Sequence, residues 1–279
     1  MFEILKKTQF SEKVFEFRVH APRMAKKAHA GQFLMVRIDE TGERVPFTFA
    51  NWNAEEGWIE FIFMVVGKTT QCLSELNEGD FIRDITGPLG KPTEIEGDSV
   101  AVIGGGVGCA IAYPVAKKLH QQGAVVHSIV GFRNKDLVIL EPEFQAVSDK
   151  LVMMTDNGSY GEKGLVTNAL EKLIESGERY DEVIAIGPLV MMKFVTQVTK
   201  KYNIKTVVSM NPIMIDGTGM CGGCRLTVGG KTKFACVDGP DFDGFEVDFD
   251  EAMARGAMYR DFERHAHEET CNLFRKEVQ

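Results

Sequence analysis

Three of the six cysteines lie in one glycine-rich stretch of this chain, Cys221, Cys224 and Cys236, with the spacing C-x2-C-x11-C. An iron–sulfur cluster needs four protein ligands, and the plant-type [2Fe–2S] pattern C-x4-C-x2-C…C places the first ligand position at Asp216. A carboxylate oxygen can coordinate iron, and the glycines let the backbone curl round a cluster and direct N–H groups to its sulfurs. The spacing therefore predicts a [2Fe–2S] site with one aspartate and three cysteine ligands.

The same residues are compatible with two other kinds of site. Structural zinc accepts thiolates together with a carboxylate in a tetrahedron. A redox dithiol also uses a C-x-x-C pair, although such pairs usually open a helix after a strand, whereas this pair lies among glycines. Zinc and a site without metal are therefore alternatives to the cluster.

Composition and charge argue against several classes of function. The apolar fraction of 44% and the charged fraction of 26% are typical of a soluble globular protein. The net charge of −8 argues against nucleic acid or an anionic membrane surface as a partner. No apolar run reaches the ~18 residues of a membrane span, and the N-terminus lacks the apolar region of a signal peptide. Cys72, Cys109 and Cys271 stand alone, and thiolates reserved for a cluster imply a reducing compartment, so we expect a cytoplasmic protein.

Residues 1–97 have the pattern of antiparallel β structure. Apolar and polar side chains alternate in short segments that turn signals separate. Strands at this spacing predict a small closed barrel, with one short helix at Thr70–Leu76 that has Thr69 or Thr70 as its N-cap. The predicted strands are Phe2–Gln9, Val14–Val19, Gln32–Ile38, Phe47–Ala50, Trp58–Val65 and Asp80–Gly87.

Residues 98–209 change to alternating strands and helices after a turn-rich linker at 90–98. This order predicts a parallel sheet with helices on both faces. The predicted strands are Val100–Ile103, Ala124–Val130, Leu151–Met154, Glu182–Ile186 and Lys205–Ser209. The predicted helices are Val107–His120, Glu141–Ser148, Gly164–Ser176 and Leu189–Lys200.

Residues 210–279 hold the paired cysteines, followed by an acidic stretch. A helix is predicted from about Asp250 to His267, because its acids precede its Arg and His residues as the helix dipole prefers. A small appendage can bury only some of the large apolar side chains here, so a solvated tail and a docking face for a partner subunit are both open. These side chains are Phe242, Phe245, Phe249, Met253, Met258, Tyr259, Phe262 and Phe274.

A glycine cluster follows the first strand of the second domain and precedes its first helix. Backbone amides at such a helix start can hold a pyrophosphate, although a tight β–α turn without a ligand would have the same sequence. Cys109 occupies the third glycine position of the dinucleotide fingerprint. It could lie near a bound nicotinamide, or it could equally well be a small residue of the core. The candidate nucleotide residues are Gly104, Gly105, Gly106, Val107 and Gly108.

Two further strand ends carry candidate ligand residues, since open α/β sheets bind ligands at the carboxyl ends of their strands. Asp156 follows one predicted strand and Gly187 with Pro188 follows another. Asp156 is equally well explained as the Asx-turn or N-cap residue of a plain loop. No acidic residue follows the second strand to bind a ribose, which departs from the simple dinucleotide fingerprint. No basic cluster for a 2′-phosphate follows it except Arg133 and Lys135, so we favour NADH over NADPH.

Two segments of the predicted barrel could bind a flavin nucleotide. Backbone and hydroxyl groups of Pro46, Phe47 and Thr48 could lie along a flavin ring while Arg44 reaches a pyrophosphate. The second segment offers free amides, hydroxyls and a helix start, which is a phosphate site by the same reasoning. It comprises Gly67, Lys68, Thr69 and Thr70. Ordinary strand and N-cap chemistry explains each segment equally well when it is taken alone.

Taken together, these motifs resemble the ferredoxin–NADP reductase superfamily over essentially the whole chain. Pro46-Phe47-Thr48 is similar to its flavin strand, and Gly67–Thr70 is similar to its phosphate turn. The resemblance is greatest to the electron-transfer subunits of dihydroorotate dehydrogenase and to the small subunits of NADH-dependent ferredoxin:NADP oxidoreductase, also called sulfide dehydrogenase. The position of Asp216 is Cys in the former and Asp in the latter, as in this chain.

The resemblance implies an FAD-binding antiparallel barrel at 1–97, an NAD(H)-binding α/β domain at 98–209 and a [2Fe–2S] segment with a C-terminal helix at 210–279. It implies an oxidoreductase subunit that exchanges hydride with NAD(H) and passes single electrons to a larger flavin and iron–sulfur subunit. That partner, in a heterodimer, would handle ferredoxin and NADP(H) in an electron-bifurcating complex. The cofactors supply the chemistry, so no acid–base residue is nominated.

Two other functions are compatible with the sequence. The chain could serve a dihydroorotate dehydrogenase-type catalytic subunit, against which Asp216 counts. It could also be a zinc-stabilised nucleotide-binding module without redox activity, in which case the purified protein would be colourless.

Overall fold

The computed structural model describes residues 1–263 and 265. Its first part is antiparallel, with helices α1 (Pro22–Ala25) and α2 (Lys68–Glu75) between strands. The strands are β1 (Phe2–Ser11), β2 (Val14–His20), β3 (Phe33–Arg37), β4 (Val45–Thr48), β5 (Asn51–Asn53), β6 (Trp58–Met64), β7 (Phe81–Ile82) and β8 (Asp84–Leu89). They form two sheets of order β5-β6-β2-β1-β7 and β4-β3-β8, which pack into the expected barrel-like body.

Aromatic side chains hold the two barrel sheets together. Phe17 and Phe61, on neighbouring strands β2 and β6, are fully buried with ring centroids 6.0 Å apart. Phe47, on β4 of the other sheet, stacks on Phe61 at 5.2 Å. Such pairs contribute about 0.5–1.5 kcal/mol each beyond the area they bury. Because side chains alternate along a strand, inward-facing Phe47 leaves its neighbours Pro46 and Thr48 on the opposite face of β4.

The second part is an α/β sheet that contains every predicted strand and one strand, at Glu162–Lys163, that was not predicted. Its strands are β9 (Ser99–Gly105), β10 (Val125–Phe132), β11 (Lys150–Thr155), β12 (Glu162–Lys163), β13 (Glu182–Ile186) and β14 (Lys205–Ser209), and its helices are α3 (Cys109–Gln121), α4 (Glu141–Val147), α5 (Val166–Glu175) and α6 (Leu189–Tyr202). These strands are parallel, and both faces of β9 are buried: Ala101 and Ile103 pack in one core cluster, and Val100 and Val102 in another.

The cysteine-bearing segment is built onto the edge of that sheet. Its elements are β15 (Arg225–Val228), β16 (Lys231–Phe234), α7 (Ala235–Asp238), β17 (Asp241–Asp243) and α8 (Phe249–Gly256). Strand β17 pairs antiparallel with β14, so the sheet order is β12-β11-β10-β9-β13-β14-β17. The strands of residues 98–209 are all parallel, as predicted, and β17 adds an antiparallel edge strand that was not predicted. A three-residue acidic strand carries too little apolar pattern to be recognised.

Several predicted boundaries differ from the structure. Helix α2 begins at Lys68 with Gly67 as its N-cap, because the Thr70 hydroxyl accepts N–H groups from Val66 and Gly67 instead of opening the helix itself. The predicted strand Phe47–Ala50 is divided, since β4 ends at Thr48 and β5 begins at Asn51.

The predicted C-terminal helix starts one residue earlier than expected, at Phe249, and α8 covers only the first part of the predicted range. Asp248 caps α8 by accepting the N–H of Glu251, and α8 ends at Gly256. The end of the predicted helix, Cys271 and Phe274 lie outside the described residues. Among residues 1–263 and 265, no helix combines the length and apolar character that crossing a bilayer requires.

Candidate functional site

The candidate flavin strand β4 lies at the edge of the three-stranded sheet, paired with β3. Met35 of β3 is opposite Pro46, and Phe33 is opposite Thr48. Arg44 is exposed just before the strand. Arg37 forms an ion pair with Asp84 and, with a smaller contribution from Arg44, holds the pKa of that carboxyl below its usual range. The strand therefore presents half-buried backbone and the Thr48 hydroxyl at the barrel surface, with a cation at its start.

The candidate phosphate turn is held by one side chain. Thr70 Oγ1 accepts N–H groups from Val66 at 3.0 Å and Gly67 at 3.1 Å, and donates to the Gly67 carbonyl at 3.0 Å. The hydroxyl of Thr70 is thus committed to the turn. The first backbone N–H groups of a helix have no partner within it. The backbone N–H groups of Lys68 and Thr69 can therefore donate to an anion at the start of α2.

The candidate nucleotide loop connects the centre of the seven-stranded sheet to α3. Strand β9 ends at Gly105, and residues 106–108 form a single 3-10 turn before α3 begins at Cys109. Gly106 has φ of +57°, and no described atom lies within 4 Å of where its Cβ would stand. The turn therefore opens outward at Gly106, which leaves the start of α3 accessible to a pyrophosphate.

Two glycine segments that are 80 residues apart in sequence lie against each other at this turn. A Cβ on Gly108 would stand 2.7 Å from the Ile186 carbonyl oxygen and 2.8 Å from Gly187 Cα. A Cβ on Gly187 would stand 3.1 Å from Gly105 Cα, and Pro188 also contacts Gly105. Real Cβ atoms do not approach so closely, so these glycines are required by packing, and the packing brings both predicted segments to one edge of the sheet.

Asp156 lies at the same edge, in the turn that follows β11. Its side chain is exposed, and its N–H donates to the Phe132 carbonyl at the end of β10 at 3.0 Å. The Asx-turn hydrogen bond in this loop comes from Asn157, whose Oδ1 accepts the N–H of Ser159 at 3.0 Å. The Asx-turn explanation therefore applies to Asn157, and the Asp156 carboxylate is exposed to solvent.

A polar cluster that the sequence did not reveal stands beside Asp156. The Tyr160 hydroxyl lies 2.9 and 3.0 Å from the two carboxylate oxygens of Glu141 and donates to that group, which raises the pKa of Tyr160. The Lys135 ammonium lies 5.8 Å from the centre of the Tyr160 ring. Lys135 follows β10, Glu141 begins α4 and Tyr160 follows β11, so only the folded chain brings them together.

In the candidate cluster loop, Asp216 organises the backbone. Its carboxylate accepts the N–H of Thr218 and that of Cys221, each at 2.7 Å, and these hydrogen bonds hold its pKa below the usual range. Positive φ angles at Gly217, Gly219 and Gly222 allow the loop to curl. Asp216 is therefore an ionised carboxylate beside Cys221.

The other two cysteines form a buried pair. Cys224 and Cys236 are almost completely buried, and their sulfurs lie 3.2 Å apart. Burial and the neighbouring Cys224 raise the pKa of Cys236 to about 12, which a bound cation would reverse. Cys221 is exposed, and its sulfur accepts the N–H of Gly223 at 3.4 Å.

The donor set fits a two-iron cluster better than a single ion. Within residues 1–263 and 265 there is no group of three or more His, Cys, Asp or Glu side chains arranged about one metal position. The four donors instead form two pairs, Asp216 with Cys221 and Cys224 with Cys236. Two sulfurs on one tetrahedral metal with bonds of about 2.3 Å lie about 3.8 Å apart, so the two sulfurs, 3.2 Å apart here, need to separate only slightly to bind one metal. Each pair could therefore serve one iron.

The cluster loop packs against β3, the strand that pairs with the flavin strand β4. A Cβ on Gly217 would stand 2.7 Å from Met35 Cγ and 2.9 Å from Leu89 Cδ1. Met35 is also the partner of Pro46. One core cluster accordingly contains Phe33 and Met35 of the barrel together with both buried cysteines. The contact of β3 with the loop could not be found from sequence, because Met35 looks like any apolar strand residue.

The sites described above define an oxidoreductase with a flavin-binding barrel and an iron–sulfur segment, and comparison with known families agrees. The model of the family "Oxidoreductase FAD-binding domain" matches residues 1–93. The model of the family "Iron-sulfur cluster binding domain of dihydroorotate dehydrogenase B" matches residues 211–248. The predicted FAD and iron–sulfur cofactors and the predicted fold class are confirmed.

Full-length relatives identify the family. A dihydroorotate dehydrogenase B electron transfer subunit homolog from Thermotoga maritima is 49% identical over 95% of this chain and 94% of its own. The Bacillus pumilus electron transfer subunit is 31% identical over 88% of this chain and 96% of its own. A chain of the NADH-dependent reduced ferredoxin–NADP oxidoreductase structure is 47% identical, covers 97% of this chain and 98% of its own, and superimposes with a TM-score of 0.91. The protein belongs to the family of dihydroorotate dehydrogenase B electron transfer subunits and their homologues, which confirms the resemblance.

Proposed function

We propose that this protein is the FAD and [2Fe–2S] subunit of an electron-bifurcating NADH-dependent ferredoxin:NADP oxidoreductase. It exchanges hydride with NAD(H) and exchanges single electrons with a larger flavin and iron–sulfur subunit, which handles ferredoxin and NADP(H). The observation that carries the proposal is the ligand set: Asp216 is an ionised carboxylate hydrogen-bonded to the Cys221 amide, in the first ligand position of a loop packed on the flavin barrel.

The residues of this chain have distinct tasks in that function. Bound FAD converts two-electron hydride chemistry into one-electron transfers that an iron–sulfur cluster can carry. Pro46, Thr48 and the backbone of Phe47 would line the flavin ring. Arg44 would face its phosphates, and Gly67–Thr70 would bind its pyrophosphate at the start of α2. Asp216 and Cys221 hold one iron, and Cys224 and Cys236 hold the other.

The nicotinamide nucleotide is assigned to the carboxyl edge of the seven-stranded sheet. Its pyrophosphate binds the amides of Gly104–Gly108, and its nicotinamide end approaches Gly187 and Pro188, next to Gly105. Asp156 and the pair of Glu141 with Tyr160 stand further along the edge. A carboxylate near the adenosine ribose would repel a 2′-phosphate, which supports NADH over NADPH.

A partner face surrounds the proposed cluster. Met220 is 89% exposed, Ile215 54% and Val237 42%, and each is the immediate neighbour in sequence of a proposed cluster ligand. Large exposed apolar side chains in one place indicate a surface that another protein covers. This arrangement supports a heterodimer in which the partner docks over the cluster loop, and we place the complex in the cytoplasm.

The names of the relatives favour a second candidate, an electron-transfer subunit for a dihydroorotate dehydrogenase-type catalytic subunit. Both candidates share FAD, the cluster and NADH, and they differ in the partner. An oxygen ligand at Asp216 changes the electronic environment of the cluster relative to four thiolates, and the resemblance of this position to the bifurcating small subunits favours the first candidate.

The test is anaerobic purification followed by cofactor analysis and reduction. The proposal predicts one FAD and two irons per chain, reduction by NADH in preference to NADPH, and co-purification with a flavin and iron–sulfur protein from the native host. Zinc without flavin would overturn the redox function altogether. FAD and iron together with a dihydroorotate-oxidising partner would instead establish the second candidate.

A further inference from the structure

Thr93, in the linker between barrel and sheet, contacts all three parts of the chain. Its N–H donates to the carbonyl of Ala30 in the barrel at 2.9 Å, and its carbonyl accepts from Lys118 Nζ of α3 at 3.3 Å. Its hydroxyl donates to Asp241 Oδ2 of β17 at 2.6 Å. Only 1% of Thr93 is exposed. A residue in a turn-rich linker is therefore fixed in place by three separate elements.

Asp241 is the buried end of this connection. Its Oδ1 is inaccessible to solvent and has no hydrogen-bond partner among the described residues. Burial raises the pKa of the Asp241 carboxyl, hydrogen bonds from the Ser209 and Thr93 hydroxyls oppose this, and the Glu182 carboxylate on β13 raises it further. The net effect is that the pKa of the Asp241 carboxyl lies above its usual value.

The backbone around both residues is fitted to the contact. In the linker, the N–H of Lys91 donates to the Gly239 carbonyl at 2.7 Å. Directly after β14, the N–H of Met210 donates to the Pro240 carbonyl at 2.8 Å. A Cβ on Gly31 would stand 2.0 Å from the Thr93 hydroxyl oxygen. The barrel therefore has a glycine where the Thr93 side chain must pass to reach Asp241.

We propose that Thr93 and Asp241 are positioning residues that fix the cluster segment against the flavin barrel and so set the geometry of electron transfer between the two cofactors. The inference rests on the proposed function. In sequence, the cluster loop lies between β14 and the edge strand β17, which pair with each other. Thr93 links β17 to the barrel, against which Gly217 of the loop packs. Electron transfer between two cofactors slows as the distance between them grows, so a buried contact that fixes this distance has a functional effect.

The test compares Thr93→Val, which removes the hydroxyl at nearly constant shape, with Thr93→Ser, which keeps it. Thr232→Val is the matched control, because Thr232 is an exposed strand residue of the same cluster segment. Asp241→Asn keeps the acceptor oxygen and a neutral side chain. Each variant is purified with its FAD and cluster, and its FAD and iron contents are measured first.

Two readouts follow. Amide hydrogen exchange of residues 239–243 and 215–221 reports how often the segment leaves the barrel. Stopped-flow absorbance after mixing with NADH reports the rate of cluster reduction. The NADH hydride first reduces the flavin, and the reduced flavin then gives one electron to each ferric iron that becomes ferrous. We expect exchange about tenfold faster and cluster reduction at least tenfold slower in Thr93→Val, since a buried acceptor loses its donor. Thr93→Ser, Asp241→Asn and Thr232→Val should stay within about twofold of the wild type.

Three results would overturn the inference. Thr93→Val could match the wild type in both readouts, or exchange could rise while cluster reduction keeps its rate, which would leave Thr93 a structural residue only. A wild-type chain that holds both cofactors but is not reduced by NADH would overturn the proposed function, and the inference with it. The first two results leave the proposed function intact.

Discussion

The backbone of Gly217 lies directly on the side chain of Met35, with only 2.7 Å between Met35 Cγ and the place of a Cβ on Gly217. Met35 is also paired with Pro46 of the flavin strand. Gly217 is the residue after Asp216, the first proposed cluster ligand. Met35 lies on β3, which is next to the proposed flavin strand β4. The two proposed cofactor sites therefore contact each other through Met35.

We expect Gly217→Ala to displace the cluster loop. The residue has φ of +76°, which costs a side-chain-bearing residue about 1–2 kcal/mol, and overlap with Met35 adds about 1–3 kcal/mol. The iron content of the purified protein should fall, while its FAD content is retained.

Gly230→Ala separates the two effects. Gly230 has φ of +70° in the β15–β16 hairpin, but no described atom lies within 4 Å of its Cβ position. The Gly230→Ala variant should lose only the stability that the positive φ costs, and it should keep its iron. Equal iron contents in the two variants would show that the contact with Met35 does not matter.

A second prediction concerns the oxygen ligand. Asp216→Cys should retain two irons and change the electron paramagnetic resonance spectrum of the reduced cluster, because a thiolate replaces a carboxylate on one iron. Asp216→Ala should lose iron, since it removes both the ligand and the acceptor for the amides of Thr218 and Cys221. A cluster whose spectrum is indifferent to Asp216→Cys would mean that the fourth ligand is another residue.

Sequence reasoning found the parts of the site but not their assembly. Spacing alone selected Asp216 with the three cysteines, and strand–turn–helix order selected Gly104–Gly108, because both signals are local. The contact between Gly108 and Gly187 arises from packing two β–α turns together, which no local pattern encodes. Thr93 and Asp241 are 148 residues apart, and each looks like an ordinary polar residue of a loop.

The acidic C-terminal stretch illustrates the same limit. For the C-terminal segment, a solvated tail and a docking face were both open, and Met258, Tyr259 and Phe262 beyond the acidic residues are exposed. Asp241 lies within the same stretch but is turned inward by its pairing with β14. Charge predicts exposure on average, and only the register of β17 distinguishes the one carboxyl that is buried.

A third prediction is a pH dependence of stability from Asp241. Its folded pKa is raised, mainly by burial, so between the unfolded value near 3.8 and the folded value the native state binds a proton that the unfolded chain has lost. The free energy of unfolding should therefore fall as pH rises through that interval, by up to about 1.4 kcal/mol per pH unit. The contribution is fully present below the unfolded pKa.

Asp241→Asn should remove this component. Thermal unfolding of the cofactor-loaded proteins between pH 4 and 8 measures it as the difference between wild type and variant. Asp250→Asn, which breaks an exposed ion pair with Lys193, should follow the wild-type curve, because such pairs contribute little. Parallel curves for wild type and Asp241→Asn would mean that the carboxyl is already ionised in the fold.

The last prediction distinguishes two glycines of the nucleotide loop by what surrounds them. A Cβ on Gly108 would meet the Ile186 carbonyl and Gly187 Cα, both backbone atoms that cannot give way. Gly108→Ala should therefore force the β9–α3 turn away from the β13–α6 turn and destabilise the protein by about 2–4 kcal/mol, as overpacking against fixed atoms does. Gly106→Ala meets no described atom and should cost only the strain of its positive φ, about 1 kcal/mol.

Binding should rank the two variants differently from stability. Gly106 is the open point of the loop, so a methyl group there intrudes where the proposed pyrophosphate approaches the backbone. We expect Gly106→Ala to fold with full FAD and iron contents but to bind NADH at least tenfold more weakly, measured by fluorescence titration. Unchanged NADH affinity in a Gly106→Ala protein with full FAD and iron contents would show that the nucleotide does not bind at this loop. The site would then have to be sought further along the same edge, near Glu141 and Tyr160.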